Sequence, residues 1–143
     1  MSAADNKSIV AAIYAAMAEG DGRPFNAAMA EDFTWILEGT GAWSRTWRGR
    51  ETVRRELLKP LFAQFATPYR CRAERIIAEG DSVVVLARGE VTTTTGKPYN
   101  NSYCFVIRMQ GGEMVELREY LDTELVAEAL DPPPAPAEPA PRA

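Results

Sequence analysis

The sequence predicts an α+β domain in which a cone-shaped, curved antiparallel sheet packs on three N-terminal helices. Two observations carry this. Apolar residues recur at helical spacing through the first half and at strand spacing through the second, so helices and strands are segregated along the chain. Turn signals in the second half, Gly80-Asp81, Gly96-Lys97 and Gly111-Gly112, recur every 15 or 16 residues, the rhythm of an antiparallel meander. A third observation sets the boundary. Asp131 to Ala143 reads DPPPAPAEPAPRA and holds six of the ten prolines. It is expected to be a disordered tail (131–143) behind a single domain (1–130).

Ile9, Val10, Ile13, Tyr14 and Met17 make the apolar stripe of the first helix, and Gly20 stops it. Pro24 opens a second, short helix through Phe25 and Met29. Phe33 to Leu37 is an apolar run of strand type, and residues 38–49, with Gly39, Gly41 and Gly49, read as a loop. The third helix spans about 50–65, with Val53, Leu57, Leu58, Leu61, Phe62 and Phe65 on one stripe and a kink or break at Pro60. Strands follow at about 68–78, 82–94, 98–109 and 113–122, and a short helix at 123–130 closes the domain. Strands this long must bend around the amphipathic helices, and the mouth of such a cone is a pocket. Leu57, Leu61 and Phe65 wall it from the third helix.

Composition excludes several chemistries. The 143 residues include no histidine, which removes Ser-His-Asp and Cys-His nucleophile systems and histidine zinc sites. Proton transfer near neutral pH then falls to a carboxylate, Lys, Tyr or Cys of shifted pKa. A net charge of −4 argues against a nucleic-acid or anionic-membrane surface. The cluster Arg45, Arg48, Arg50, Arg54 and Arg55 is interrupted by Glu51 and Glu56 and reads as a solvated face. The first residues show no signal-peptide pattern, and no apolar run nears the ~20 residues of a membrane span. A cytoplasmic location is expected, with Cys71 and Cys104 reduced. No metal cluster or cofactor motif is seen; Gly39-x-Gly41 lacks the third glycine of a dinucleotide fingerprint.

Strand alternation points to polar groups inside the pocket. Glu119 shares a face with Val115, Leu117 and Leu121; Arg88 and Glu90 share one with Val84 and Leu86; Asn101 and Tyr103 share one with Phe105 and Ile107. If these faces point inward, Arg88 lies between Glu90 and Glu119, either as a self-satisfying ion cluster or as an acid–base site. Burial would raise a glutamate pKa there and Arg88 would lower it. Tyr103 or Asn101 would bind a substrate oxygen. Trp35 walls the pocket, and Trp43 and Trp47 either anchor their loop or form a lid. The opposite face of the last strand, with Glu116, Arg118 and Tyr120, offers a dimer surface.

The order of IYAAMAEGD (13–21), EDFTW (31–35), WRGRETV (47–53), the glycine-marked meander and MVELREYLDT (114–123) resembles the SnoaL-like branch of the nuclear transport factor 2-like superfamily over about residues 5–130. The resemblance implies the cone fold and a homodimer, and a range of functions from ketosteroid isomerases, limonene-1,2-epoxide hydrolases and polyketide cyclases to non-enzymes. The isomerase base position falls near Leu37 or Glu38, the meander aspartate is replaced by Tyr103 or Cys104, and Tyr14 lies in the first helix about one residue out of register with the family tyrosine. Arg88-Gly89-Glu90 and Leu117-Arg118-Glu119-Tyr120-Leu121-Asp122 are similar to the arginine–carboxylate and second-carboxylate segments of the epoxide hydrolases, while their water-holding Tyr-x-Asn is here Trp35-Ile36-Leu37. The expected function is acid–base isomerisation, cyclisation or epoxide opening on a small, largely apolar molecule, with Glu119, Arg88 and Glu90 as the working groups and no cofactor. The alternative is a non-catalytic ligand-binding or dimeric accessory domain.

Overall fold

In the computed structural model, which describes residues 1–136, α1 (Ala3–Ala18) starts from a reciprocal cap. The Ser2 hydroxyl accepts from the Asp5 amide, and the Asp5 carboxylate accepts from the Ser2 amide. Its buried face, with Val10, Ile13 and Tyr14, lies against the sheet, and Gly20, at φ 82°, lets the chain turn away. α2 (Arg23–Ala28) carries Pro24 in its first turn. Met29 does not extend this helix: it begins β1 (Met29–Leu37).

The arginine cluster is less solvated than its composition implies. Arg50 and Arg54 donate to the Met29 and Asn26 carbonyls at the end of α2, and Arg45 donates to the Pro134 carbonyl. Three of the five therefore donate to backbone carbonyls and are not merely solvated.

Within the stretch expected to be loop, β2 (Thr46–Arg48) pairs antiparallel with β1, Trp47 opposite Trp35. Three residues are too few to show a period. α3 (Arg50–Thr52) then runs into a π-helical stretch (Val53–Leu58) and α4 (Lys59–Phe62). Pro60 lacks the N–H that an α-helix would bond four residues back. The backbone adapts by widening just before it, where the Lys59 amide bonds the Arg54 carbonyl five residues back, so the expected break becomes a bulge.

β3 (Arg70–Glu79), β4 (Ser82–Glu90), β5 (Ser102–Gln110) and β6 (Glu113–Leu121) form the meander. Two-residue turns at Gly80-Asp81 and Gly111-Gly112 join β3 to β4 and β5 to β6, with Gly80, Gly111 and Gly112 all at positive φ. The six strands run in the order β2-β1-β6-β5-β4-β3. The sheet is mixed and not all antiparallel, because β6 returns beside β1 and runs parallel to it. Register shifts in the pairs β1–β6, β3–β4 and β5–β6 bend it into a curved cone.

α5 (Thr123–Ala129) is capped by Asp122, whose carboxylate accepts from the Glu124 and Leu125 amides. The tail expected from Asp131 onward starts as anchored chain. Gln64 brackets Asp131, its Oε1 accepting from the Asp131 amide at 2.8 Å and its Nε2 donating to the carbonyl at 3.2 Å. The Trp43 indole donates to that carbonyl at 2.9 Å, and Pro133 is buried. Without proline N–H groups the segment cannot build a ladder, so side chains from the body supply its bonds. Residues 137–143 lie outside the described residues. Among the described residues no helix is long and apolar enough to cross a membrane.

Candidate functional site

The sheet, α1, the 50–62 helical stretch and α5 enclose a cavity of about 90 Å³. That is room for several waters or part of a small organic molecule. Its wall is almost wholly apolar and aromatic. Among the described residues no Lys or Arg lines it, and Glu119 is its one acidic side chain.

Glu119 sits on the inner face of β6, beside Phe105 of β5 and Leu37 of β1. Trp35 is two residues before Leu37, hence on the same face and diagonal to Glu119. Its indole Nε1 donates to Glu119 Oε1 at 2.8 Å. Glu119 is buried, yet Oε2 has no protein hydrogen bond among the described residues and is not sealed from the cavity. Burial without a neighbouring cation pushes its carboxyl up to about 7, with the Trp35 bond opposing the rise.

Phenols surround this carboxyl. Tyr14, Tyr69 and Tyr103 are held well above the ordinary tyrosine value, first by burial and further by nearby ionisable groups that include Glu119. They stay protonated donors at any working pH. The Tyr69 hydroxyl donates to that of Tyr103 at 2.9 Å. Phe105 stacks on Tyr103 with ring centres 4.9 Å apart and meets Tyr14 at 5.7 Å. Burial likewise pushes the Cys71 thiol up to about 12, so it is no thiolate nucleophile.

The structure brings together Glu119, Tyr14, Trp35, Leu57, Leu61, Phe65 and Tyr103 on the cavity wall. Other expected residues lie elsewhere. Arg88 and Glu90 point outward: Arg88 donates to Glu74 at 3.1 Å and to Ser102 at 3.2 Å on the solvent face, and Glu90 is exposed opposite Arg70. The inner residues of β4 are Val83, Val85, Ala87 and Gly89. Three consecutive valines allow either parity, and packing decides it: a Cβ at Gly89 would stand 3.0 Å from the Tyr103 ring. Only small residues fit beneath the tyrosines. Glu38 also leaves the cavity and pairs with Arg118. Asn101 is fully buried but serves the structure behind the wall, bonding Tyr99, Ser102 and Asp122.

Tyr69, Tyr99, Phe25 and Phe105 complete the wall without having been singled out as ligand contacts. Tyr69 and Tyr99 each follow a proline, Pro68 and Pro98, at strand margins where alternation carries no signal. Trp43 lines the cavity while its indole holds the C-terminal segment, and Trp47 is buried beside β1.

A curved mixed sheet wrapped on helices around a cavity defines the nuclear transport factor 2-like fold. Residues 10–117 match the family described as SnoaL-like domain, and the chain belongs to that family. An NTF2-like protein from Burkholderia xenovorans LB400 is 26% identical, with a TM-score of 0.69 over 92% of this chain and 99% of its own. One from Burkholderia thailandensis E264, also 26% identical, has a TM-score of 0.74 over 89% and 98%. An LEH-like epoxide hydrolase from M. tuberculosis shares the fold at 19% identity, with a TM-score of 0.68 over 90% of each chain. No curated protein matches in sequence.

Proposed function

We propose that the protein is an acid–base catalyst that moves a proton on a small, largely apolar molecule, with Glu119 as the base. The observation that carries this is one carboxyl, buried without a cation, tied by one oxygen to Trp35 and open to the cavity by the other. A carboxyl ionising at about 7 exchanges protons in both directions at neutral pH, which a surface glutamate does poorly. Neutral phenols around it can hydrogen-bond the oxygen of an enol or enolate without adding net charge. The apolar walls supply binding for the rest of the ligand and keep water from competing.

Isomerisation or cyclisation through an enolate needs one base and hydrogen-bond donors. Epoxide opening in the manner of the two-carboxylate hydrolases needs an arginine and a second carboxylate beside the first. Arg88 and Glu90, the residues that resemble that pair, lie on the outer face. The single-base reading is therefore preferred over hydrolysis. A homodimer is proposed as its working form, formed through the outer face where Ile77, Leu86 and Tyr120 are exposed.

The test is deuterium uptake from D2O at the α-carbon of small cyclic ketones and enones. The wild type is expected to accelerate uptake with a rate that rises with pH through about 7, where Glu119 becomes the free base. Glu119→Gln is expected to lose the acceleration while keeping its fold. Equal rates in the two proteins would refute Glu119 as the base.

A further inference from the structure

Asn101 has the hydrogen-bonding capacity of one carbonyl oxygen and one amide NH2. All of it is used, and its orientation is fixed by backbone groups. Oδ1 accepts from the Ser102 amide at 2.8 Å and the Asp122 amide at 3.0 Å, both of which can only donate. The NH2 must then face the other way, where it donates to the Asp122 carbonyl at 3.1 Å and to the Tyr99 hydroxyl oxygen at 3.2 Å.

Tyr99 is thereby an acceptor toward Asn101, and its own O–H proton is directed elsewhere. Tyr103, beside it on the cavity wall, accepts a hydrogen bond from Tyr69 at 2.9 Å. Tyr99 lines the cavity, and its hydroxyl accepts from Asn101 while donating to no protein group among the described residues, which leaves its proton as the unused one. A hydroxyl whose oxygen receives hydrogen bonds is also polarised into a stronger donor.

We infer that Tyr99 is an obligate hydrogen-bond donor to the ligand, oriented by Asn101 as a positioning residue, and that the cavity selects molecules presenting an acceptor oxygen, a carbonyl or enolate, on an apolar body. This rests on the small-molecule reading of the cavity and names the ligand class within it. Burial and the Glu119 charge push Tyr99 up to about 12, with the Asn101 hydrogen bond opposing them, so the phenol keeps its proton when it meets the ligand.

The experiment compares 1-indanone with indane, one bicyclic skeleton with and without a carbonyl, by calorimetry and by the infrared C=O stretch of bound 13C-labelled ketone. The wild type is expected to bind the ketone roughly 10-fold more tightly, the worth of one buried hydrogen bond, with its C=O band shifted to lower frequency. Tyr99→Phe should bind indane as before and lose both the preference and the band shift. Asn101→Asp, which sets an acceptor against the Tyr99 hydroxyl, should draw the phenol proton away and reduce both. Because it also faces the Asp122 carbonyl, Tyr99→Phe decides the matter. A preference and band shift that survive in Tyr99→Phe, or that vanish only in Tyr103→Phe, overturn the inference. Indane binding with no ketone preference in the wild type overturns it and leaves the cavity reading standing; failure of both compounds to bind overturns the two together.

Discussion

The Trp35 indole donates to Glu119 Oε1 at 2.8 Å and is the carboxyl's one hydrogen-bond partner in the described protein. It joins the first long strand to the last and leaves the second carboxyl oxygen to the cavity. Trp35→Phe keeps a ring in place and removes the N–H. The Glu119 midpoint should then rise above its value of about 7, because the bond that favours the ionised form is gone. A pH titration of the carboxyl infrared band reads this directly, and an unchanged midpoint would show the bond to be electrostatically idle.

Glu119→Gln should reshape the dependence of stability on pH. The folded protein holds a proton on Glu119 up to about 7, whereas the unfolded chain releases it near 4.5. Wild-type stability from this group is therefore greatest below about 4.5 and declines as pH rises to about 7, by on the order of 3 kcal/mol. The variant keeps a neutral acceptor for Trp35 and lacks that decline. Urea unfolding at pH 5 and pH 8 should show near-equal stabilities at the first and a more stable variant at the second.

Gly89→Ala tests why β4 turns Arg88 and Glu90 outward. Its new Cβ would meet the Tyr103 ring at 3.0 Å and the Tyr69 hydroxyl at 3.1 Å. The tyrosine pair must shift, at a cost of roughly 1–3 kcal/mol in unfolding free energy. Arg88→Ala and Glu90→Gln should each stay within about 0.5 kcal/mol of wild type and leave ligand binding unchanged, as exposed side chains do.

Gln64→Ala removes both hydrogen bonds that bracket Asp131. A stability loss of about 1 kcal/mol is expected, with faster proteolytic cleavage beyond residue 130. Equal cleavage rates in variant and wild type would mean that Trp43 and Arg45 hold the segment unaided.

The helices, the meander turns and the inward row that carries Glu119 were legible because each rests on a period or a glycine turn that the sequence displays. The inner face of β4 was not. Val83, Val84 and Val85 fit either parity, and the deciding fact, the closeness of Gly89 to two tyrosines, is a contact between distant parts of the chain. The parallel pairing of β1 with β6 and the anchoring of Asp131 are likewise long-range events without local signature. Asn101 carried a readable hint as a polar residue on an apolar face. Its role in turning Tyr99 becomes visible only once Asp122 is folded back against it.

The most direct test is the pH at which Glu119 itself ionises, followed by 13C NMR of the side-chain carboxyl in glutamate-labelled protein, with Glu119→Gln identifying the resonance. The account predicts a midpoint of about 7. A midpoint at the ordinary value of 4.5 would mean a solvated, unperturbed carboxylate and would contradict Glu119 as the buried base of this cavity.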